Sequence, residues 1–339
     1  MNKKVIALFS CIVLLTVAYK INAAIMSQKA THKIPVIFDT DANNELDDQH
    51  ALAYLLFSGD RFAVKGITVN ATYNGGNIDE QYAEAERILK LATERSIIPL
   101  FKGANSNFEH IKNEINNSHF DGDSAVNFII NAVRNIANPP MVLIAVGKLT
   151  NVALALKKEP AIANKLRVVW LGSNYPEPGE YNQDNDTAAM NYVLNTNVPF
   201  EMVTVRYGKP SGTDAVRVTM QDIATHMPGK GPKVSAPVTG RHQDTFTSFG
   251  DYSVNLFQHI TFNGNPPGRA LYDMAAVAVV KNATWASVKE IPAPILQNNI
   301  WIERPDNPRT IKVWENFKKD AILNDFYNTI EHYVLAEKE

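Results

Sequence analysis

Ile34-Pro35-Val36-Ile37-Phe38-Asp39-Thr40-Asp41-Ala42-Asn43-Asn44-Glu45-Leu46-Asp47-Asp48 passes from an apolar run directly into five acids. The run has the near-continuous hydrophobicity of a strand buried on both faces, the kind found in parallel sheets. The acids fall in the loop after that strand and in the first turn of the helix that follows. In open parallel sheets this carboxyl-end edge is where ligands bind. Carboxylates packed this densely repel one another unless a cation holds them, and their hard oxygens suit calcium or magnesium. A plainer reading is that Asp47 and Asp48 favour a helix N-terminus. That reading accounts for one or two acids but not for five directly behind a buried strand.

Working outward, short β-branched runs alternate with amphipathic stretches. Strands are expected over residues 34–39, 62–69, 98–101, 141–146, 166–171 and 200–205, and helices over 47–57, 78–94, 124–136, 151–158 and 187–195. Strand, helix, strand at this spacing implies right-handed crossovers. The expected architecture is an α/β single domain with a mostly parallel, mixed central sheet flanked by helices. Regularity fades after Gly208. Residues 227–240 are rich in Gly, Pro and Lys and read as a mobile surface loop, with helices expected over 246–259, 273–281 and 313–335.

The 339 residues are 45% hydrophobic and 20% charged, with a net charge of −2. That is enough apolar material for one large core, and it lacks the basic excess of a nucleic-acid binder. Lys3 and Lys4 precede an apolar run from Val5 to Ala18, and Ile21-Asn22-Ala23-Ala24 supplies small residues for cleavage. Residues 1–23 therefore read as a secretory signal peptide, too short in its apolar part for a membrane span. The expectation is an exported protein whose mature domain covers 24–339. Cys11, the one cysteine, would leave with the signal peptide, so neither a disulfide nor a thiolate nucleophile is expected.

Four segments in order carry a resemblance. Asp39-Thr40-Asp41, five residues, then Asp47-Asp48 is similar to the Asp-x-Asp-x-x-x-Asp-Asp signature of the nucleoside hydrolases (inosine–uridine-preferring nucleoside N-ribohydrolases), with two residues inserted. Ile144-Ala145-Val146-Gly147-Lys148-Leu149-Thr150-Asn151 resembles that family's Thr-Gly-x-Leu-Thr-Asn strand end, with Val146 in place of Thr. Asn174, Glu180, Tyr181 and Asn182 reproduce the spacing of an Asn, then a Glu six residues on, then Phe-Asn, and Asp186 follows at the usual distance. Leu271-Tyr272-Asp273-Met274-Ala275-Ala276-Val277-Ala278 looks like the His-Asp-Pro-x-Ala-Val-Ala segment.

The resemblance implies a nucleoside hydrolase-like fold and calcium-dependent hydrolysis of the N-glycosidic bond of nucleosides. It also implies a homo-oligomer. Calcium would be held by Asp41, Asp48, Asp273 and the Val146 carbonyl. Asp41 would also be the base for the attacking water. Asp47, Asn174, Glu180 and Asn182 would bind the sugar. Members often place a His before the distal Asp to protonate the leaving base, whereas this chain has Tyr272, a weaker acid. His242, after the Gly/Pro-rich stretch, is the alternative donor. Two other readings stay open. One is a catalytically silent calcium-dependent nucleoside or sugar binder. The other is a haloacid-dehalogenase-like phosphatase, for which Asp39-Thr40-Asp41 fits but Ala42-Asn43 does not.

Overall fold

The structure, a computed structural model, describes residues 33–92 and 98–337. The expected signal peptide lies outside them. Its core is an eight-stranded sheet. In chain order the strands of the molecule are β1 (Ile34–Thr40), β2 (Phe62–Val69), β3 (Leu100–Lys102), β4 (Met141–Ala145), β5 (Leu166–Leu171), β6 (Phe200–Val203), β7 (Arg217–Val218), β8 (Val238–Thr239), β9 (Thr245–Phe246), β10 (Arg269–Ala270), β11 (Ser287–Pro292), β12 (Ile295–Gln297), β13 (Ile300–Ile302) and β14 (Thr310–Glu315). The large sheet runs β11-β14-β6-β5-β4-β1-β2-β3. Every neighbouring pair in it is parallel except β11 with β14 at one edge.

Alternation along the central strands divides the core into two layers. Val36 and Phe38 of β1, with Val142 and Ile144 of β4, face one apolar cluster. Ile37, with Met141, Leu143 and Ala145, faces the other. The first layer is closed by α1 (Asp47–Leu56), α2 (Ile78–Ala92) and, later in the chain, Phe249–Gln258, Met274–Lys281 and Lys319–Glu331. The second is closed by α3 (Phe108–Ile111), α4 (Asp123–Arg134), α5 (Thr150–Lys158) and α7 (Thr187–Leu194), while the short α6 (Tyr181–Asn185) buries polar residues instead. Both faces are covered, which is why β1 reads as an unbroken apolar run. All ten residues of α1 are buried, its two leading acids included.

The first half follows the expected elements with ends shifted by no more than two residues. The last two residues of the expected helix 78–94 lie outside the described residues. Departures come after Gly208. The stretch 227–240 is pinned rather than loose: Met227 and Val234 are buried, Val234 N–H donates to Thr247 O at 2.9 Å and Gly231 N–H to Ile330 O at 3.1 Å. Residues 246–259 begin with strand β9, and the helix occupies only Phe249–Gln258. Val313 and Trp314 belong to β14, paired with Met202 and Val203 of β6, so the last helix is confined to Lys319–Glu331.

Candidate active site

The ends of consecutive parallel strands supply the site. β1 delivers Asp39, Thr40 and Asp41; β2 leads to Asn70 and Thr72; β4 leads to Val146 and Gly147; β5 leads to Ser173 and Asn174; β6 leads to Val205 and Tyr207. Asp39 anchors the edge. It accepts hydrogen bonds from Thr68 Oγ1 (2.5 Å), Asn151 Nδ2 (2.7 Å) and Asn70 Nδ2 (3.0 Å), which ties three strand ends together. Burial still pushes its carboxyl up to about 6 against those bonds.

A cavity of about 240 Å³ opens beside it. Its most buried wall carries Asp41, Asp48, Asp273 and Glu180, each at most 2% exposed, with Asp47 and Asn182 alongside. Carboxylate oxygens of Asp47, Asp48 and Asp273 come within 4.8 Å of one another. Burial, then mutual repulsion, raises Asp48 and Asp273 well above the ordinary carboxyl range. Burial likewise pushes Asp41 and Asp47 up to about 7. Thr72 Oγ1 donates to Asp41 Oδ2 at 2.5 Å, and Thr40 Oγ1 donates to Asp48. Gly147 makes room for this: a Cβ there would sit 2.7 Å from Asp41 Oδ1. The donor set suits a hard divalent cation, being all oxygen, buried and short of compensating charge. Asp47 joins Asp48 and Asp273 in the closest oxygen group, and Asp41 lines the same cavity.

The remaining expected residues divide. Glu180 N-caps α6, accepting from Ser173 N–H (2.7 Å), Gln183 N–H (2.9 Å) and Asn182 N–H (3.0 Å), and burial pushes it up to about 7. Asn182 Nδ2 donates to Val146 O at 2.8 Å and Leu171 O at 3.1 Å, which leaves the Val146 carbonyl one lone pair to share. Asn174 does not line the cavity. Its amide donates to Gly179 O at 2.9 Å and its oxygen accepts from Tyr207 N–H at 3.1 Å, so it closes the loop behind Glu180. Asp186 is a brace that caps α7 and accepts from Thr150 Oγ1 and Phe108 N–H. Tyr272 is on the cavity wall, but its hydroxyl donates to Asp214 Oδ1 at 2.8 Å, and burial with that carboxylate raises its pKa. His242 is not among the lining residues; it stacks on His259 with centroids 4.0 Å apart.

Tyr207, Arg269 and Asn44 also line the cavity and were not singled out in the sequence. Tyr207 is 43% exposed and packs edge-on against Tyr272, with centroids 5.8 Å apart. Arg269 comes from β10 and forms an ion pair with Glu45. The loop carrying the two inserted residues is pinned by Asn43 Nδ2 donating to Gly75 O (2.8 Å) and Asn43 N–H to Gln81 Oε1 (2.7 Å).

An acid-lined, cation-suited cleft at the carboxyl edge of a parallel sheet is the site of a hydrolase class that activates water with carboxylates. The inosine-uridine preferring nucleoside hydrolase family model matches residues 36–323. The chain belongs to that family and is an N-glycosyl hydrolase; the family is metal-dependent. Among solved structures it is similar to an inosine-guanosine nucleoside hydrolase, with TM-score 0.67, 18% identity, and 88% of this chain and 99% of that one covered. It is also similar to a purine-preferring ribonucleoside hydrolase from Gardnerella vaginalis, with TM-score 0.65, 20% identity, and 88% and 98% covered. An uncharacterized protein of Schizosaccharomyces pombe is 27% identical over 229 residues, 59% of this chain and 70% of its own length.

Proposed function

We propose that the protein hydrolyses the N-glycosidic bond of ribonucleosides in a calcium-dependent reaction, releasing free base and ribose. The observation that carries this reading is the group of buried carboxylates whose pKa values stand raised with almost no counter-charge. Asp41, Asp48, Asp273 and the free lone pair of Val146 O would hold the cation, with Asp47, whose carboxylate lies within 4.8 Å of those of Asp48 and Asp273, beside them. A bound calcium ion would orient the attacking water and make it more acidic. Asp41, held at one oxygen by Thr72, takes the water's proton. Asp47, Glu180 and Asn182 hold sugar hydroxyls, and the surrounding carboxylates favour the positive charge that develops at the anomeric carbon. Asn174 shapes this end by holding the loop from Pro178 to Gly179 and the Tyr207 backbone.

A panel of purine and pyrimidine nucleosides, assayed with calcium and with a chelator, tests the reading. Multiple-turnover release of base that is lost on chelation and restored by calcium is expected. Replacing Asp48 or Asp273 by Ala should lower calcium affinity and activity together. Binding of a nucleoside without turnover would instead support a silent binder. Family membership removes the basis for the phosphatase reading. Export and self-association are proposed with it; a mature N-terminus near Ala24 and a solution mass above one chain are the expected results.

A further inference from the structure

Six acids line the cavity: Asp41, Glu45, Asp47, Asp48, Glu180 and Asp273. Among the described lining residues Arg269 is the one cation. Its side chain is 14% exposed, and its Nε is buried with no hydrogen-bond partner. Among the described residues the guanidinium is held through Nη2 by Glu45, whose own side chain is 41% exposed. Because Glu45 reaches solvent, water can take up its charge when the pair opens, while the mostly buried guanidinium needs another acceptor in its place. Arg269 therefore has donors to spare, next to a site where a leaving group must depart.

Tyr272, the neighbour expected to assist departure, is differently placed. Its hydroxyl proton is directed to Asp214 Oδ1, and Asp214 is itself fixed by Arg217 Nη1 (3.0 Å) and Gly208 N–H (3.1 Å). Donation to a nucleobase would break that bond inside a partly buried network. With the carboxylates at the buried wall taking the sugar, as proposed above, the base is left to the side of the cavity lined by Glu45 and Tyr207, 41% and 43% exposed, and by the less exposed Arg269.

We propose that Arg269 is a catalytic residue that hydrogen-bonds the departing nucleobase, exchanging Glu45 for an acceptor atom of the base. This rests on nucleoside hydrolysis as proposed above. In the step, the water oxygen bonds to C1′, the water proton passes to Asp41, and the bond from C1′ to the base nitrogen breaks with its electron pair going to the base. The negative charge that collects on the base nitrogen and its conjugated oxygen meets the guanidinium donor. Arg269 keeps its proton, because guanidinium is not deprotonated at working pH, and solvent protonates the free base. The contribution is greater in the transition state than in the ground state, so it acts on kcat.

The test compares Arg269→Gln with Tyr272→Phe on inosine or uridine and on 4-nitrophenyl riboside, whose phenolate leaves without help. For Arg269→Gln, kcat on the nucleosides should fall by about 10²-fold, the scale of one lost charge-stabilising donor. On the nitrophenyl substrate it should fall less than about threefold, because no donor is needed there. Equal loss on both substrates, or the selective loss appearing in Tyr272→Phe while Arg269→Gln resembles wild type, overturns the assignment. Glu45→Gln supplies a second check that does not remove the cation. Nucleoside turnover at or above wild type is expected, and a tenfold fall overturns the exchange. Wild-type enzyme that cleaves the nitrophenyl riboside but no nucleoside overturns base recognition by Arg269. Wild-type enzyme that cleaves neither overturns the proposed reaction itself.

Discussion

Two sets of buried carboxylates in one sheet behave oppositely. Glu201, on β6, is 3% exposed, and burial alone would raise its pKa. Arg167 meets it with two bonds of 2.9 Å, Trp314 Nε1 donates at 2.8 Å and Lys312 Nζ lies 3.4 Å away, so its pKa is lowered instead. At the carboxyl edge, Asp48 and Asp273 are equally buried, yet like charges face them and their pKa values rise. Glu201 is a finished interaction that stabilises the fold. The edge acids are an unfinished one, held in place by the surrounding fold and completed only by a cation. Perturbation of this second kind, in a cleft, marks function more often than structure.

The sharpest way to break the comparison is to remove a base while keeping one oxygen in place. Asp41→Asn keeps a carbonyl beside Thr72 but cannot accept the water's proton. Turnover should fall by about 10²–10⁴-fold, the usual worth of a general base, with KM changing only a few-fold. A variant with most of the wild-type kcat would exclude Asp41 as the base.

Stability separates the two sets next. Glu201→Gln leaves Arg167 and Lys312 beside an uncharged amide. Unfolding free energy should drop by about 2–3 kcal/mol, below the full range for a broken buried pair because both cations reach solvent. Asp48→Asn should leave the metal-free protein as stable as before or more so, since it removes one of several repelling charges. It should also abolish the stabilisation that calcium adds. Denaturant titrations with chelator and with calcium check both. Equal destabilisation by the two variants would erase the distinction.

The same contrast explains what was legible in the sequence. Acids crowded behind the apolar run 34–38 are visible because density and order carry the signal; β2 and β5 fall on their expected bounds for a similar reason, being largely buried runs rich in β-branched and aromatic residues with one half-buried basic residue each, Lys65 and Arg167. β11 was missed because it is an edge strand, Ser287–Pro292, with Lys289 and Glu290 exposed and no apolar period. β14 was read as helix because Val313 and Trp314 are followed closely by the apolar positions of Lys319–Glu331. Arg269 and Tyr207 come from segments without periodicity, and only the fold brings them to the cavity. Asn174 shows the converse: spacing located it at the site, but the path of the loop turned its amide to the backbone.

The smallest effect is the pH dependence of the metal-free protein. In the folded chain burial pushes Asp39 up to about 6 and Asp41, Asp47 and Glu180 up to about 7. Unfolded carboxyls titrate near 4. Between those values the folded state binds more protons than the unfolded state, so stability falls as pH rises from about 4 through 7. His50 acts in the opposite sense at the acid end. It is buried between Leu46 O and Ser253 Oγ, and burial pushes it down to about 4, so its neutral form costs stability as pH drops below its ordinary value of 6.5. Above about pH 6.5 the His50 contribution is flat and only the acids titrate. Chelated protein should therefore lose about 5 °C of melting temperature between pH 6.5 and 8, a loss of 1–2 kcal/mol for a domain of this size. Calcium-loaded protein should show a flat or rising profile, because the cation compensates the charges that protons otherwise cancel. Glu201 contributes no slope in this window, since its lowered pKa keeps it ionised throughout. A chelated profile as flat as the loaded one would mean that the edge acids are already balanced without a cation, and the two sets would no longer differ.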